Sequence, residues 1–240
     1  MPSMLLLEAV PPMFKARIKQ FLGWNLVAPV ADLAQELIFQ GIFDHQCRNH
    51  RIPNDYYPLG GAASYGMLYL LTRLLADEGL SEVVEFGSGQ STVLIDRVRP
   101  EKGYHLCFES DTGWHARIKP RLHRCEYLLL PIVSRTFESV TASTYDAPPV
   151  RDFDLILVDG PHGTPQHSRF GCAEWILGNR RESFVAIVDD TGRPGEGQTV
   201  AFIVERLRRS GKKVSTKQMR AKTVLTVIAV GDLAHATQYF

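Results

Sequence analysis

From about residue 61 onward, short apolar runs alternate with longer stretches in which apolar residues return at helical spacing. The spacing predicts a helix over 64–78, with Ser64 at the N-cap and Gly79 just past the end, feeding a buried strand at Val83–Phe86. A second strand, G-Y-H-L-C-F-E, ends at Glu109; a helix around 112–121 and a strand at Cys125–Pro131 follow. A polar connection holding Tyr145, Asp146, Pro148 and Pro149 leads to a strand at 153–159, a helix at 165–178, a strand at 183–190 and a helix at Gln198–Ser210. The runs at 212–219 and 223–230 are joined by R-A-K alone, too short for a crossover helix, so they form an antiparallel hairpin. Alternation of this kind predicts an α/β chain with a doubly wound, mostly parallel sheet.

Length and composition add one domain with an appendage. The chain has 240 residues, 45% of them hydrophobic, enough for a substantial core. Residues 1–60 read as an N-terminal helical extension or lid, and 61–240 as the main domain, with R-I-P-N-D-Y-Y-P-L-G-G at 51–61 as the hinge. A formal net charge of +1 gives no global attraction to nucleic acid. Cys47, Cys107, Cys125 and Cys172 lack C-x-x-C spacing and read as reduced thiols. The apolar Met1–Val10 stretch precedes the charges Lys15, Arg17 and Lys19, the reverse of a signal peptide, so the cytoplasm is expected. Residues 21–43 are apolar, but Pro29, Asp32 and Glu36 oppose a spanning helix; packing on the domain is favoured, with peripheral membrane contact left open.

The chemistry concentrates at 83–92, V-V-E-F-G-S-G-Q-S-T, a strand, a glycine turn and a helix start. A dinucleotide fingerprint would place a third glycine at Thr92, so a nicotinamide cofactor is disfavoured. A ligand without phosphate fits better, held by Glu85 and by backbone amides of the turn. Glu109 lies about 20 residues beyond the turn, the spacing of a ribose-binding acid. These residues resemble the class I S-adenosylmethionine-dependent methyltransferases, whose first motif is E/D-x-G-x-G. The resemblance covers about 61–230 and implies a Rossmann-like seven-stranded sheet whose last strand inserts antiparallel. It further implies that Glu109 takes the ribose, that Gly87, Ser88, Gly89 and Ser91 line the cofactor, and that Glu85 fixes either the cofactor's ammonium end or the turn itself.

A second constellation sits at the ends of the later strands: Asp159 in V-D-G-P-H-G and the pair Asp189-Asp190 in V-D-D. Three carboxylates at one rim repel unless protonated, paired with a cation or bound to a hard metal such as Mg²⁺. Asp189 and Asp190 follow Asp159 by 30 and 31 residues. That spacing resembles the metal-dependent, catechol-type O-methyltransferases, and implies Asp159, Asp189 and Asp190 as magnesium ligands. His162 stands where that family has a lysine base, and a neutral imidazole accepts a hydroxyl proton near pH 7. Asp159 is also a candidate cofactor contact and, with His162, a candidate catalytic residue. Plainer roles stay open: turn capping for Asp159 and Asp190, a loop position for His162 with His167 as competitor, and a surface pair for Arg193 and Glu196, whose loop resembles bacterial methyltransferase-like proteins of polysaccharide pathways.

Basic residues crowd 203–222, from Arg206 to Lys222. No aromatic residues interleave with them and no base-gripping N-P-P-Y/F motif is present, so nucleic acid is the minority substrate. The sequence therefore points to an S-adenosylmethionine-dependent O-methyltransferase for a small molecule or glycan intermediate, with Mg²⁺ assistance, Trp24, Tyr56 and Tyr57 closing over the acceptor, and a homo-oligomer left open. The alternatives are a cofactor-binding protein without turnover, a nucleic-acid methyltransferase and an aminopropyltransferase.

Overall fold

A computed structural model describes residues 32–57 and 61–240. Trp24 and residues 21–31 of the apolar 21–43 segment lie outside the described residues. Seven strands form one sheet in the order β3-β2-β1-β6-β7-β9-β8. They are β1 Glu82–Phe86, β2 Tyr104–Glu109, β3 Cys125–Leu129, β6 Leu155–Val158, β7 Phe184–Val188, β8 Val214–Arg220 and β9 Val224–Val230. The β3-β2-β1-β6-β7 block is parallel, and β9 runs antiparallel between β7 and β8. The central strands are short, rich in valine, isoleucine and leucine, and buried along nearly their whole length, as a sheet covered on both faces requires.

Helices cover both faces. A helix over 32–50, α1, buries Phe39, Phe43 and Cys47 in one core with α2 (Tyr65–Thr72), α3 (Gln90–Val98) and Ile118 of α4 (Thr112–Ile118). The other face is packed by α5 (Gly171–Gly178) and α6 (Pro194–Arg209), with Phe86, Phe108, Tyr145 and Trp175 meeting edge-on or tilted. Such aromatic pairs each contribute about 0.5–1.5 kcal/mol beyond their burial. No helix among the described residues is long and apolar enough to cross a membrane.

Several boundaries differ from the sequence reading. The Ser64 hydroxyl does cap α2, accepting from the Met67 amide at 3.1 Å, and the helix continues as a π turn over Arg73–Asp77. The polar connection is a separate hairpin, β4 (Ile132–Phe137) with β5 (Val140–Tyr145). Its residues are mostly half-buried or exposed on alternate sides, so no apolar run marked it. The helix expected from 165 starts only at Gly171, because Thr164–Phe170 form a loop tied to α6: Ser168 Oγ donates to Glu196 and the Ser168 amide to the Gly195 carbonyl. α6 begins at Pro194, four residues before the expected Gln198, since proline suits the first helical turn. Tyr56 is not a cover for a ligand; it is buried against Phe43 and Arg97.

Candidate active site at the strand ends

The sheet order reverses at β1, which has β2 on one side and β6 on the other, and open α/β sheets bind ligands outside such a switch point. Gly87, Gly89, Glu109, Asp159 and the Asp189-Asp190 pair all lie at this edge, just beyond or at the ends of β1, β2, β6 and β7. The two glycines serve different ends. Gly87 has φ +86°, and a Cβ there would lie 2.7 Å from the Gly160 nitrogen and 2.9 Å from the Asp159 carbonyl carbon, so it is the point where two backbones cross. Gly89 has extended backbone at φ −179°, and a Cβ there would meet only Ser91 Oγ at 3.9 Å. Among the described residues nothing demands glycine at 89, and the space beside it is open to a ligand.

The amides of the turn are spent internally, contrary to the expectation that they hold the ligand. Gly87 N–H donates to the Phe108 carbonyl at 3.0 Å, Ser88 N–H to Glu109 Oε2 at 3.2 Å, and Gly89 N–H to Thr92 Oγ1 at 2.8 Å. Thr92, where a dinucleotide site has glycine, thus closes the turn. The crevice edge carries the carboxyl groups of Glu109, Asp159, Asp189 and Asp190, and the turn offers a pyrophosphate no free amide at Gly87, Ser88 or Gly89.

Glu109 is buried and rigidly held. Its Oε1 accepts from the Ser110 and Asp111 amides at 2.7 and 2.8 Å, and its Oε2 from the Ser88 amide and from Ser88 Oγ, the latter at 2.6 Å. Ser88 Oγ also meets the Tyr127 hydroxyl at 2.6 Å, and Trp114 Nε1 donates to the Ser88 carbonyl at 2.7 Å. Glu85 is fully buried: it accepts from Ser91 Oγ at 2.6 Å and faces His105 Nε2 at 3.1 Å, which ties the end of β1 to the start of α3. Burial opposes charge on His105, but the Cys125 thiol and the Glu85 carboxylate beside it prevail and push the imidazole up to about 9. Tyr57, which is exposed, exchanges backbone hydrogen bonds with the Gln90 side chain and so stands beside the turn.

At the acidic rim, Asp159, Asp189 and Asp190 each offer an oxygen within 4.8 Å of the others. Burial, then the Asp189 charge, raises Asp159 from the ordinary 3.8 to about 8; Asp189 is raised chiefly by burial. Between them lies Arg169, which the sequence reading had placed inside a helix. Its Nη2 is 2.9 Å from Asp190 Oδ2 and 3.3 Å from Asp159 Oδ1. Arg193 Nη1 meets Asp190 at 3.0 Å, and Thr223 Oγ1 donates to Asp189 at 2.7 Å. His162 is exposed and makes no side-chain hydrogen bond among the described residues, and the His167 amide donates to Gln198. The expected Mg²⁺ does not fit this arrangement: a guanidinium nitrogen already bridges two of the three proposed ligands. Pairing with a cation, the second of the ways such carboxylates coexist, is present at Asp159 and Asp190.

No protein-family model matches the sequence, and no curated protein is significantly similar to it. Solved structures are similar in fold. The O-methyltransferase TomG of Streptomyces achromogenes, involved in tomaymycin synthesis and solved with S-adenosylmethionine, is 19% identical with a TM-score of 0.50, over 80% of this chain and 89% of its own. The O-methyltransferase of Bacillus cereus, solved with S-adenosylhomocysteine, is 13% identical with a TM-score of 0.50, over 90% and 97%. A methyltransferase of Geobacter sulfurreducens is 13% identical, also at 0.50, over 80% and 87%. With its β3-β2-β1-β6-β7-β9-β8 order and inserted antiparallel strand, the chain has the Rossmann-like fold of the class I S-adenosylmethionine-dependent methyltransferases.

Proposed function

We propose that the chain is an S-adenosylmethionine-dependent methyltransferase acting on an oxygen of a small-molecule or sugar-containing acceptor. The observation that carries the reading is the donor-poor, carboxylate-rich turn with an open face at Gly89. It suits a ligand bearing a sulfonium and an ammonium and disfavours one bearing phosphates. When bound, S-adenosylmethionine supplies an activated methyl group. Glu109 holds the ribose hydroxyls. Both its oxygens already accept two bonds, so the ribose displaces Ser88 Oγ, the one donor of the four that rotates freely, leaving that hydroxyl to Tyr127. Tyr57 covers the turn and limits water. The acceptor hydroxyl lies along the Asp159 rim, where the ionised form of Asp159, whose pKa burial raises toward the working pH, and the exposed imidazole of His162 are the groups offered to take its proton. Holding the oxygen in line with the methyl contributes to the rate through proximity and orientation.

Isothermal calorimetry of S-adenosylmethionine with the wild type and with Glu109→Ala tests the proposal. Binding to the wild type with a loss of about tenfold or more in the variant, the ~1.4 kcal/mol of one charge-assisted contact, is expected. Equal affinity in the two would remove the ribose role, and no binding to either would remove the function.

A further inference from the structure

We propose that Arg169 is a built-in counter-cation standing where a divalent metal would otherwise bind, so that the acidic rim is latent as a metal site and closed in the native chain. The inference concerns the rim used in the proposed function, but its test reads metal binding and not methyl transfer.

The guanidinium is surrounded by acceptor oxygens. Nη2 contacts Asp190 Oδ2 and Asp159 Oδ1; Nη1 donates to the Asp189 carbonyl at 3.1 Å and lies 3.5 Å from the Val158 carbonyl; Nε donates to the Pro161 carbonyl at 3.3 Å and lies 4.0 Å from Glu196 Oε1. Two carbonyls at the ends of adjacent strands, one carbonyl from the next turn and three carboxylates make an all-oxygen shell, the donor set of a hard divalent cation. A planar five-donor fork fills it instead, and it is 95% buried, its side chain 5% exposed. The side chain arrives there because Arg169 adopts a left-handed backbone, φ +57°, in the loop before α5. Ser168, beside it, locks that loop to Glu196. Arg193 adds a second positive charge on Asp190 from outside, at 58% exposure.

A metal ion and this guanidinium cannot share the shell. Mg²⁺ needs oxygens at about 2.0–2.1 Å, and an ion placed between Asp159 and Asp190 would sit in contact with Nη2. Removing the fork while keeping its apolar stem, as in Arg169→Met, leaves oxygens of Asp159, Asp189 and Asp190 within 4.8 Å of one another and takes the guanidinium off the Asp189 and Pro161 carbonyls. That variant should gain a site for a hard cation.

The probe is Mn²⁺, followed by electron paramagnetic resonance, added to the purified chain without cofactor or acceptor. The wild type is expected to leave Mn²⁺ free at millimolar concentration, and Arg169→Met to bind it with an affinity raised roughly a hundredfold or more, because a unit positive charge in contact with the ion has gone. Adding Asp190→Asn to the Arg169→Met background should abolish the gain. Wild-type binding that Asp190→Asn removes overturns the proposal, as does a folded Arg169→Met chain that binds no better than wild type. Wild-type binding that Asp190→Asn leaves unchanged places the ion elsewhere and supports it. Should Arg169→Met fail to fold, the wild-type and Asp190→Asn titrations decide alone. Calorimetry of S-adenosylmethionine on the same metal-free wild type separates a failure of the methyltransferase reading, seen as no cofactor binding, from a failure of this one.

Discussion

The two glycines of the turn give the sharpest contrast the structure offers, because one is demanded by the chain and the other is not. Gly87→Ala places a methyl 2.7 Å from the Gly160 nitrogen at φ +86°. The left-handed backbone costs about 1–2 kcal/mol and the overpacking about 1–3, together about 3–4 kcal/mol. For a chain of this length each kcal/mol moves the melting temperature by about 2–4 °C, so a fall of roughly 10 °C is expected. Gly89→Ala meets no heavy atom closer than 3.9 Å in an extended conformation open to any residue. Alanine is a poorer N-cap than glycine by up to about 1 kcal/mol, but it stabilises by about 0.4–1 kcal/mol through a less flexible unfolded chain. The two nearly cancel, and Tm should move by no more than about 2 °C. The methyl does enter the space assigned to the cofactor, and S-adenosylmethionine affinity should fall at least about tenfold. Thermal denaturation and calorimetry on both variants read the two effects separately. Wild-type affinity in Gly89→Ala would refute the placement of the ligand, and an unchanged Tm in Gly87→Ala would refute the crossing argument.

Other expectations follow from the same geometry. Asp159 titrates at about 8 in the folded chain against 3.8 ordinarily, so the folded state holds a proton that the unfolded chain has released; stability is greatest near pH 4 and declines as pH rises through about 8. Asp159→Asn mimics the protonated form, so denaturant melts should show its stability relative to the wild type rising between about pH 4 and pH 8 and levelling off above; a pH-independent difference would contradict the burial argument. His162→Ala should leave cofactor affinity intact and lower turnover about a hundredfold, while unchanged turnover would assign proton removal to Asp159 alone. Cys125 has its thiol lowered to about 7, first by its neighbour Cys107 and also by His105, and is partly exposed, whereas Cys47, Cys107 and Cys172 are buried with raised thiols. Iodoacetamide followed by peptide mass spectrometry should label Cys125 first; label on Cys172 first would contradict this.

The parts of the fold governed by local pattern were legible in the sequence. The buried runs of β1, β6 and β7, the Ser64 cap and the tight β8–β9 connection all announce themselves by periodicity or turn length. The β4–β5 hairpin was not, because its half-exposed alternation looks like polar loop. At the site, the glycine turn and Glu109 could be found by spacing, and the three aspartates by their strand-end positions. Their partners could not. Which oxygen His105 faces depends on the β1–β2 register, and Arg169 reaches the aspartates through a left-handed loop residue that a run of helix-compatible residues conceals. The sequence poses the choice between metal, proton and cation at the rim, and the placement of Arg169 between Asp159 and Asp190 becomes visible only in three dimensions.

The most direct test of the account is a crystal structure of the chain grown with S-adenosylhomocysteine. The ligand is expected with its ribose hydroxyls on Glu109, its chain passing Gly89 and its amino acid end toward the Asp159 side of the crevice, with Ser88 Oγ rotated off the Glu109 carboxylate. Density for the ligand at any other place, or a Gly89 turn that stays bare beside saturating ligand, would contradict it.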